Sequence, residues 1–264
     1  LAARGEAWLV LGLIAAIMVT DIAFDAFRFA RLSASVPAIA HEQAWAFVGA
    51  PLGQWAATLS PGVQAVGYHA SYWVQMAVVF SFLVLLPVGE HFHIVTALPT
   101  LFFRRGVPAR VVPSVDMEKL MAAEDEADMK AGAQTARDLT WKEGLDTLTC
   151  TQCGRCTVAC PTAQTGKPLA VRDVNHALRT HLEAHRERLA GTDEMPPLVG
   201  EVISEDTLWA CTTCGFCEAA CPIELEHLPR FMRLRQRRVM IDGEFPHEAK
   251  RVFEAWESQG NPWG

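Results

Sequence analysis

Most of this chain has no cysteine: none stands before Cys150 or after Cys221. Lys and Arg are missing between Leu32 and Gly62, and from Ala7 to Phe24 the only charge is Asp21. Each absence excludes something. Cysteines confined to two short runs, with none left over, do not form the disulfide framework of a short secreted domain. Structural zinc would show two Cys pairs set apart, with nothing at a third spacing. Gly166 and Lys167 lack the upstream glycine spacing of a phosphate loop, so nucleotide binding is not expected, nor is a nucleic-acid partner. The start has no initiator Met, no basic leader and no clear small-residue cleavage site. A secretory signal is therefore not expected, and the true start is expected to lie before Leu1.

What is present is one cysteine pattern used twice. Cys150, Cys153, Cys156 and Cys160 precede Pro161, and Cys211, Cys214, Cys217 and Cys221 precede Pro222. Two-residue gaps let one tight loop present three thiolates in succession, and Gly154, Gly215, Ala159 and Ala220 leave room for a close-wrapped core. The spacing resembles the run by which bacterial-type ferredoxins hold two 4Fe-4S clusters, where the fourth cysteine of each run ligates the other cluster. That resemblance implies one cluster on Cys150, Cys153, Cys156 and Cys221, and a second on Cys211, Cys214, Cys217 and Cys160. Thiolate-held iron also implies a reducing compartment, hence a cytoplasmic location for this half.

Apolar residues concentrate in the first third. The stretches at about 7–29 and 63–88 are long enough to span a bilayer, the second with Tyr68, Tyr72 and Trp73 near its start and Pro87 at its end. Two spans put both termini on one side, where Arg4, Arg104, Arg105 and Arg110 stand against Arg28 and Arg31 opposite, a modest bias toward cytoplasmic termini. Trp45, Phe47, Leu52, Trp55 and Leu59 suggest a short helix in the outer interface between the spans. From Asp116 to Asp146 nine acidic residues face four basic ones, so this stretch is soluble. Within it, residues 122–131 read as a solvated linking helix. Val171, Val174, Leu178 and Leu182 form a helical stripe, Gly191 to Pro197 breaks it, and two more helices are expected at about 227–241 and 246–258. The fold class is thus mainly α: a membrane region at 1–110, a helical linker at 111–146 and a two-cluster ferredoxin-type domain at 147–264.

Histidines in an apolar span are costly without a role, which singles out His69, His91 and His93. Gln75 and His93 are 18 residues apart, a spacing that returns a helix to one face after about 27 Å. The segment 67–99 resembles the last helix of the dihaem cytochrome b subunit of respiratory nitrate reductase. In relatives fused to Fe-S domains a histidine is expected at the Gln75 position. The glutamine here implies at most one haem b, ligated by His93 and by a histidine from another helix. His93 also reads as an interfacial polar cap. His91 reads as interfacial or near a quinone, and His69 as a polar cap or a residue in the haem or quinone vicinity. Asp21 pairs with a histidine, serves quinone protonation, or joins an ion-pair ladder with Asp25, Arg28 and Arg31.

In the soluble half, residues 140–146 (Thr-Trp-Lys-Glu-Gly-Leu-Asp), 149–156, 165–169, 208–214 and 260–264 resemble membrane-anchored Fe-S oxidoreductases related to the heterodisulfide reductase iron-sulfur subunit, among them electron-transfer-flavoprotein:menaquinone oxidoreductases. The resemblance implies a subunit in the cytoplasmic (inner) membrane, part of a larger redox complex. It would pass electrons between a soluble flavoprotein and membrane quinone or haem. The alternatives are the iron-sulfur subunit of a heterodisulfide reductase or 2-hydroxy acid dehydrogenase complex, or a membrane anchor. Proteins of this kind usually continue into a domain with Cys-Cys-Gly motifs; residues 1–264 hold no such motif and so offer no place for disulfide reduction or 2-hydroxy acid oxidation. His176, His181 and His185 share one expected helix and read as solvated. Arg230, Arg233, Arg235, Arg237 and Arg238 read as a solvated helix face, or as a grip on anionic lipid or an acidic partner.

Overall fold

The computed structural model describes residues 2–87, 90–108, 111–122 and 131–263. The chain is helical, and among the described residues its only β pairing is two isolated bridges, Thr135 with Pro197 and Val199 with Ile203. The solvated helix expected at 122–131 falls almost wholly outside the described residues, as do Val88, Arg110 and the side chain of Arg4. Two compact units divide the chain, Leu1–Phe92 and His93–Gly264.

The first unit holds α1 (Ala2–Leu32), α2 (Pro37–Trp45), α3 (Gly49–Ala57), α4 (Pro61–Leu85) and a 3-10 turn, Glu90–Phe92. Pro37 and Pro61 open their helices, where a missing N–H costs nothing. α1 packs against α3 and α4. Phe29 is fully buried where α3 offers Gly49, Gly53 and Ala56, whose small size lets the two helices approach. The segments Ala7–Leu32 and Pro61–Leu85 are long and apolar enough to cross a membrane. Trp8, Val19, Val66, Trp73 and Val84 lie exposed on them, unlike the apolar face of a soluble core helix. The single interfacial helix expected between these segments is instead two helices, with Trp45, Phe47 and Trp55 exposed. Asp21 accepts a hydrogen bond from Gln75 at 2.8 Å. Arg28 pairs with Asp25 at 3.3 Å and with Glu42, so only one rung of the expected ladder forms.

The second unit opens with α5 (His93–Phe102), then α6 (Met117–Met121), capped by Asp116. There follow α7 (Trp141–Thr149), α8 (Arg155–Val158), α9 (Pro161–Gln164), α10 (Val171–Ala184), α11 (Arg186–Ala190) and α12 (Leu198–Glu201). The last four are α13 (Glu205–Ala210), α14 (Phe216–Ala219), α15 (Leu228–Met240) and α16 (His247–Gln259). Val171, Val174 and Leu178 of the expected stripe are buried with Leu198, Ile203, Leu208, Phe231 and Leu234, and Cys156, Cys160 and Cys217 join that core. By apolar composition residues 93–108 group with the membrane helices. In the structure they pack within the second unit: α5 lies on α7, Thr100 Oγ1 is 3.0 Å from Thr149 Oγ1, and Phe103 meets Trp141 edge-on.

The arginines of α15 correct the reading of a solvated or lipid-gripping face. Arg230 is 1% exposed. Arg233 donates to Glu143 and to the carbonyls of Gly132 and Asp138, and Arg237 and Arg238 both pair with Asp242. Arg235 donates to the carbonyls of Leu208 and Cys211 at 2.6 Å each, and its guanidinium lies 5.1 Å over the Trp209 ring. The charge run is turned inward because the loops around it present unpaired carbonyls and carboxylates. His181, expected on a solvated helix, is also buried, stacked 4.4 Å from His185.

Gly132 shows how closely the incoming chain lies on α15. Its φ is +74°, and a Cβ there would sit 1.9 Å from the Arg233 carbonyl oxygen. Gly132→Ala combines left-handed backbone strain with a backbone clash, so we expect it to destabilise the protein by more than about 1 kcal/mol. Circular dichroism should show a lowered Tm; an unchanged Tm would contradict this packing.

Candidate functional site

The two cysteine runs are built alike. α7 ends at Cys150 and α13 at Cys211, each the C-cap of its helix. Thr140 and Glu143 form a reciprocal capping box at the start of α7, and Ser204 caps α13. Two residues past each of these cysteines the backbone turns left-handed, at Gln152 (φ 54°) and Thr213 (φ 53°), and again at Gly154 and Gly215, both at φ 83°. Left-handed geometry is unfavourable for a non-glycine residue, so its repetition at Gln152 and Thr213 marks a loop shape the site requires. The short helices α8 and α14 then begin, each carrying its run's third cysteine as its second residue.

All eight thiols are free. Cys150, Cys156, Cys160 and Cys217 are buried, Cys211 and Cys221 half-buried, and Cys153 and Cys214 exposed. A cavity has Cys150, Cys153, Cys156 and Cys221 on its wall, with Arg172 and His227, and Cys160 is not among its lining residues. Burial pushes the Cys156 thiol up, and Cys150 and Cys221 raise it further. The Cys221 thiol, also raised first by burial, feels Cys150 and Cys153. Burial raises Cys211, which the Arg235 guanidinium lowers and Cys160 and Cys214 raise. Cys217 is pushed well up by burial, then by Glu218, Cys211 and Cys214. Cys153 is the exception: the Arg155 backbone N–H pulls its thiol down. The cavity thus brings Cys150, Cys153, Cys156 and Cys221 to one wall, while Cys211 responds to Cys160 and Cys214; among the described residues no three thiols stand close enough to form a ready-made metal site.

A frame of polar contacts fixes the loops. Lys142 holds buried Asp146 at 2.5 Å, and Asp146 accepts the Glu226 N–H at 3.1 Å. Glu226 in turn accepts from the Arg105 backbone and side chain at 2.6 Å each, while Arg104 pairs with Glu224. The motif residues at 140–146 thus act as caps and clamps. The arginines at 104 and 105, read from sequence as flank charges, grip the loop after Cys221. Beneath the runs, Arg230 donates to Thr147 Oγ1 at 2.7 Å and to Asn175, with His227 Nδ1 at 3.3 Å. Burial depresses His227 to about 3, with Arg230 adding to the effect, so this imidazole is neutral. Arg230, Asn175 and His227 escape sequence reasoning, which has no signal for which member of a basic run turns inward.

The histidines assigned from sequence lie apart from the thiols in the chain. His69 is exposed on α4, 5.2 Å from Tyr68 and edge-on, and His91 lies in the 3-10 turn of the first unit. His93 opens α5 in the second unit and is half-buried.

Residues 116–225 match the family described as a 4Fe-4S dicluster domain. The "Probable iron-sulfur-binding oxidoreductase FadF" of Bacillus subtilis is 31% identical over 233 residues, 76% of this chain and 32% of that protein. The "EtfAB:quinone oxidoreductase" of Syntrophomonas wolfei is 28% identical over 287 aligned residues, 98% of this chain and 39% of that protein. One subunit of the "Ferredoxin:CoB-CoM heterodisulfide reductase" of Methanosarcina mazei is 34% identical over 112 residues, 42% of this chain and 57% of that protein. No solved structure matches the chain. The protein is helical, and its match to a 4Fe-4S dicluster domain takes in both cysteine runs. Its relatives are iron-sulfur oxidoreductases or their subunits, and the chain spans roughly a third of the first two.

Proposed function

We propose that this chain is a membrane-bound electron-transfer subunit, carrying electrons through two 4Fe-4S clusters between a soluble donor, a flavoprotein, and membrane quinone or haem. The observation that carries the reading is the cavity that brings Cys221 to the wall formed by Cys150, Cys153 and Cys156, within a region matching a 4Fe-4S dicluster domain; the electrostatic influence of Cys160 on Cys211 supports the reciprocal set. Such sets fit cubane clusters, which supply one-electron steps and so join a two-electron flavin to a two-electron quinone. Cys150, Cys153, Cys156 and Cys221 would hold one cluster, and Cys211, Cys214, Cys217 and Cys160 the other. Exposed Cys153 and Cys214 give each set an edge near the surface for exchange. Buried carboxylate clamps and left-handed loops keep the thiols in place, so little rearrangement accompanies a change of oxidation state.

The two exposed apolar helices support anchoring in the cytoplasmic membrane. The cluster unit is assigned to the cytoplasm because thiolate-held iron needs a reducing compartment. A second reading, the iron-sulfur subunit of a heterodisulfide reductase complex, is favoured by the likeness to the Methanosarcina protein. That likeness spans 42% of the chain and gives no role to the apolar helices, so the relay is preferred.

Haem enters on one side only. Gln75 gives its amide N–H to Asp21, the use expected of an interhelical polar contact and not of an iron ligand. We assign at most one haem b, with His93 as one axial ligand and the second from another helix, and His69 and His91 in the haem or quinone vicinity.

Crossed ligation has a direct test. Cys160→Ser should disturb the electron paramagnetic resonance (EPR) signal of the cluster at Cys211, Cys214 and Cys217, leaving that at Cys150, Cys153 and Cys156 intact; the reverse outcome would refute the assignment. The relay is tested by adding a menaquinone analogue to the anaerobically reduced native complex. Cluster signals should reoxidise, and pyridine-haemochrome analysis should give no more than one haem b per copy after subtracting haem held by other subunits. Clusters that stay reduced, or two haems per copy, would contradict the proposal.

A further inference from the structure

Arg230 is an unusual residue to find fully buried. Among the described residues no carboxylate lies within ion-pair distance of it, its hydrogen-bond partners Thr147, Asn175 and His227 are neutral, and its Nε has no partner. A buried cation without a counter-charge is strongly unfavourable. Glu143 and Asp146 act on it from farther off, but each already has its own cation, Arg233 and Lys142. Arginine remains protonated in proteins, so the charge cannot be discharged.

Its position explains what balances it. Thr147 stands one turn before Cys150 on α7, and His227 forms part of the wall of the cavity shared by Cys150, Cys153, Cys156 and Cys221. On the other side the Leu228 N–H donates to Glu218 Oε1 at 2.7 Å, tying the first turn of α15 to α14 and therefore to Cys217. Thiolates at Cys150 and at Cys217, one in each run, would both favour the charged guanidinium. Two other arginines serve one set each: Arg172 borders the first cavity, and Arg235 holds the Cys211 carbonyl.

We propose that Arg230 is the common counter-charge of both clusters, a positioning residue whose fixed cation sets their two reduction potentials together. The proposal rests on the two-cluster reading above. A cluster held by four thiolates is net negative and gains a further negative charge on reduction. A nearby buried cation therefore favours the reduced form and raises the potential. Sharing that cation raises both potentials in step, which keeps a one-electron relay close to level.

The test is an EPR-monitored redox titration of the full chain, after iron and sulfide have been counted. Arg230→Gln should move both midpoints negative by about 59 mV or more, a tenfold change in each one-electron equilibrium. Arg230→Lys should keep both near the wild-type values, and Arg235→Gln should move only the cluster at Cys211. A fully loaded Arg230→Gln protein with either potential unmoved would overturn the proposal. If the glutamine variant does not load clusters, a lysine variant that loads with wild-type potentials sustains the requirement for charge. A lysine variant that also fails, or shifts as glutamine does, shows that hydrogen bonding and not charge is at work, and overturns it. Wild-type protein without iron would instead strike the cluster reading itself.

Discussion

Four thiols can surround one inorganic core only if the chain comes back to them, because a single tight loop with two-residue gaps presents three and points the fourth away. In the proposed ligation the return is reciprocal. Cys221 shares a cavity wall with the first run, and under the proposed ligation Cys160 would complete the second, so neither loop would be complete until the whole second unit has folded. The surrounding structure serves that closure. α7 and α13 end on the first cysteine of their runs, α10 supplies the apolar floor, and α15 threads arginines beneath both loops. The clamp from Lys142 through Asp146 and Glu226 to Arg105 then joins the helix before Cys150 to the loop after Cys221.

Features that depend on near neighbours were legible in the sequence. The cysteine spacing, the stripe at Val171, Val174 and Leu178, and the two long apolar helices all express local periodicity. Features set by distant partners were not. Arg233 finds Glu143 across 90 residues, and Arg235 finds the Leu208 carbonyl across 27. Composition sees a basic run and gives no sign that loop carbonyls await it. The segment after α4 reads as membrane-like because it is apolar, yet Thr100 meets Thr149 across 49 residues and places α5 on the cluster unit. Gln75 was notable for what it is not, a histidine. Its bond to Asp21, 54 residues away, supplies a positive role that spacing alone could not.

The electrostatics of the second unit are economical in space. Its buried carboxylates, Glu143, Asp146 and Glu226, pair with Arg233, Lys142 and Arg105, whereas among the described residues the buried Arg230 has no carboxylate within ion-pair distance. Two anionic clusters would supply the negative charge that no carboxylate gives this guanidinium, and the neutral His227 and Asn175 serve to orient it.

The central claim is that these eight thiols hold two cubanes, and metal analysis tests it most directly. Anaerobically purified protein should contain about eight iron and about eight acid-labile sulfides per chain, with an EPR signal appearing on reduction. Zinc in place of iron, or iron and sulfide sufficient for only one cluster in intact protein, would contradict the account.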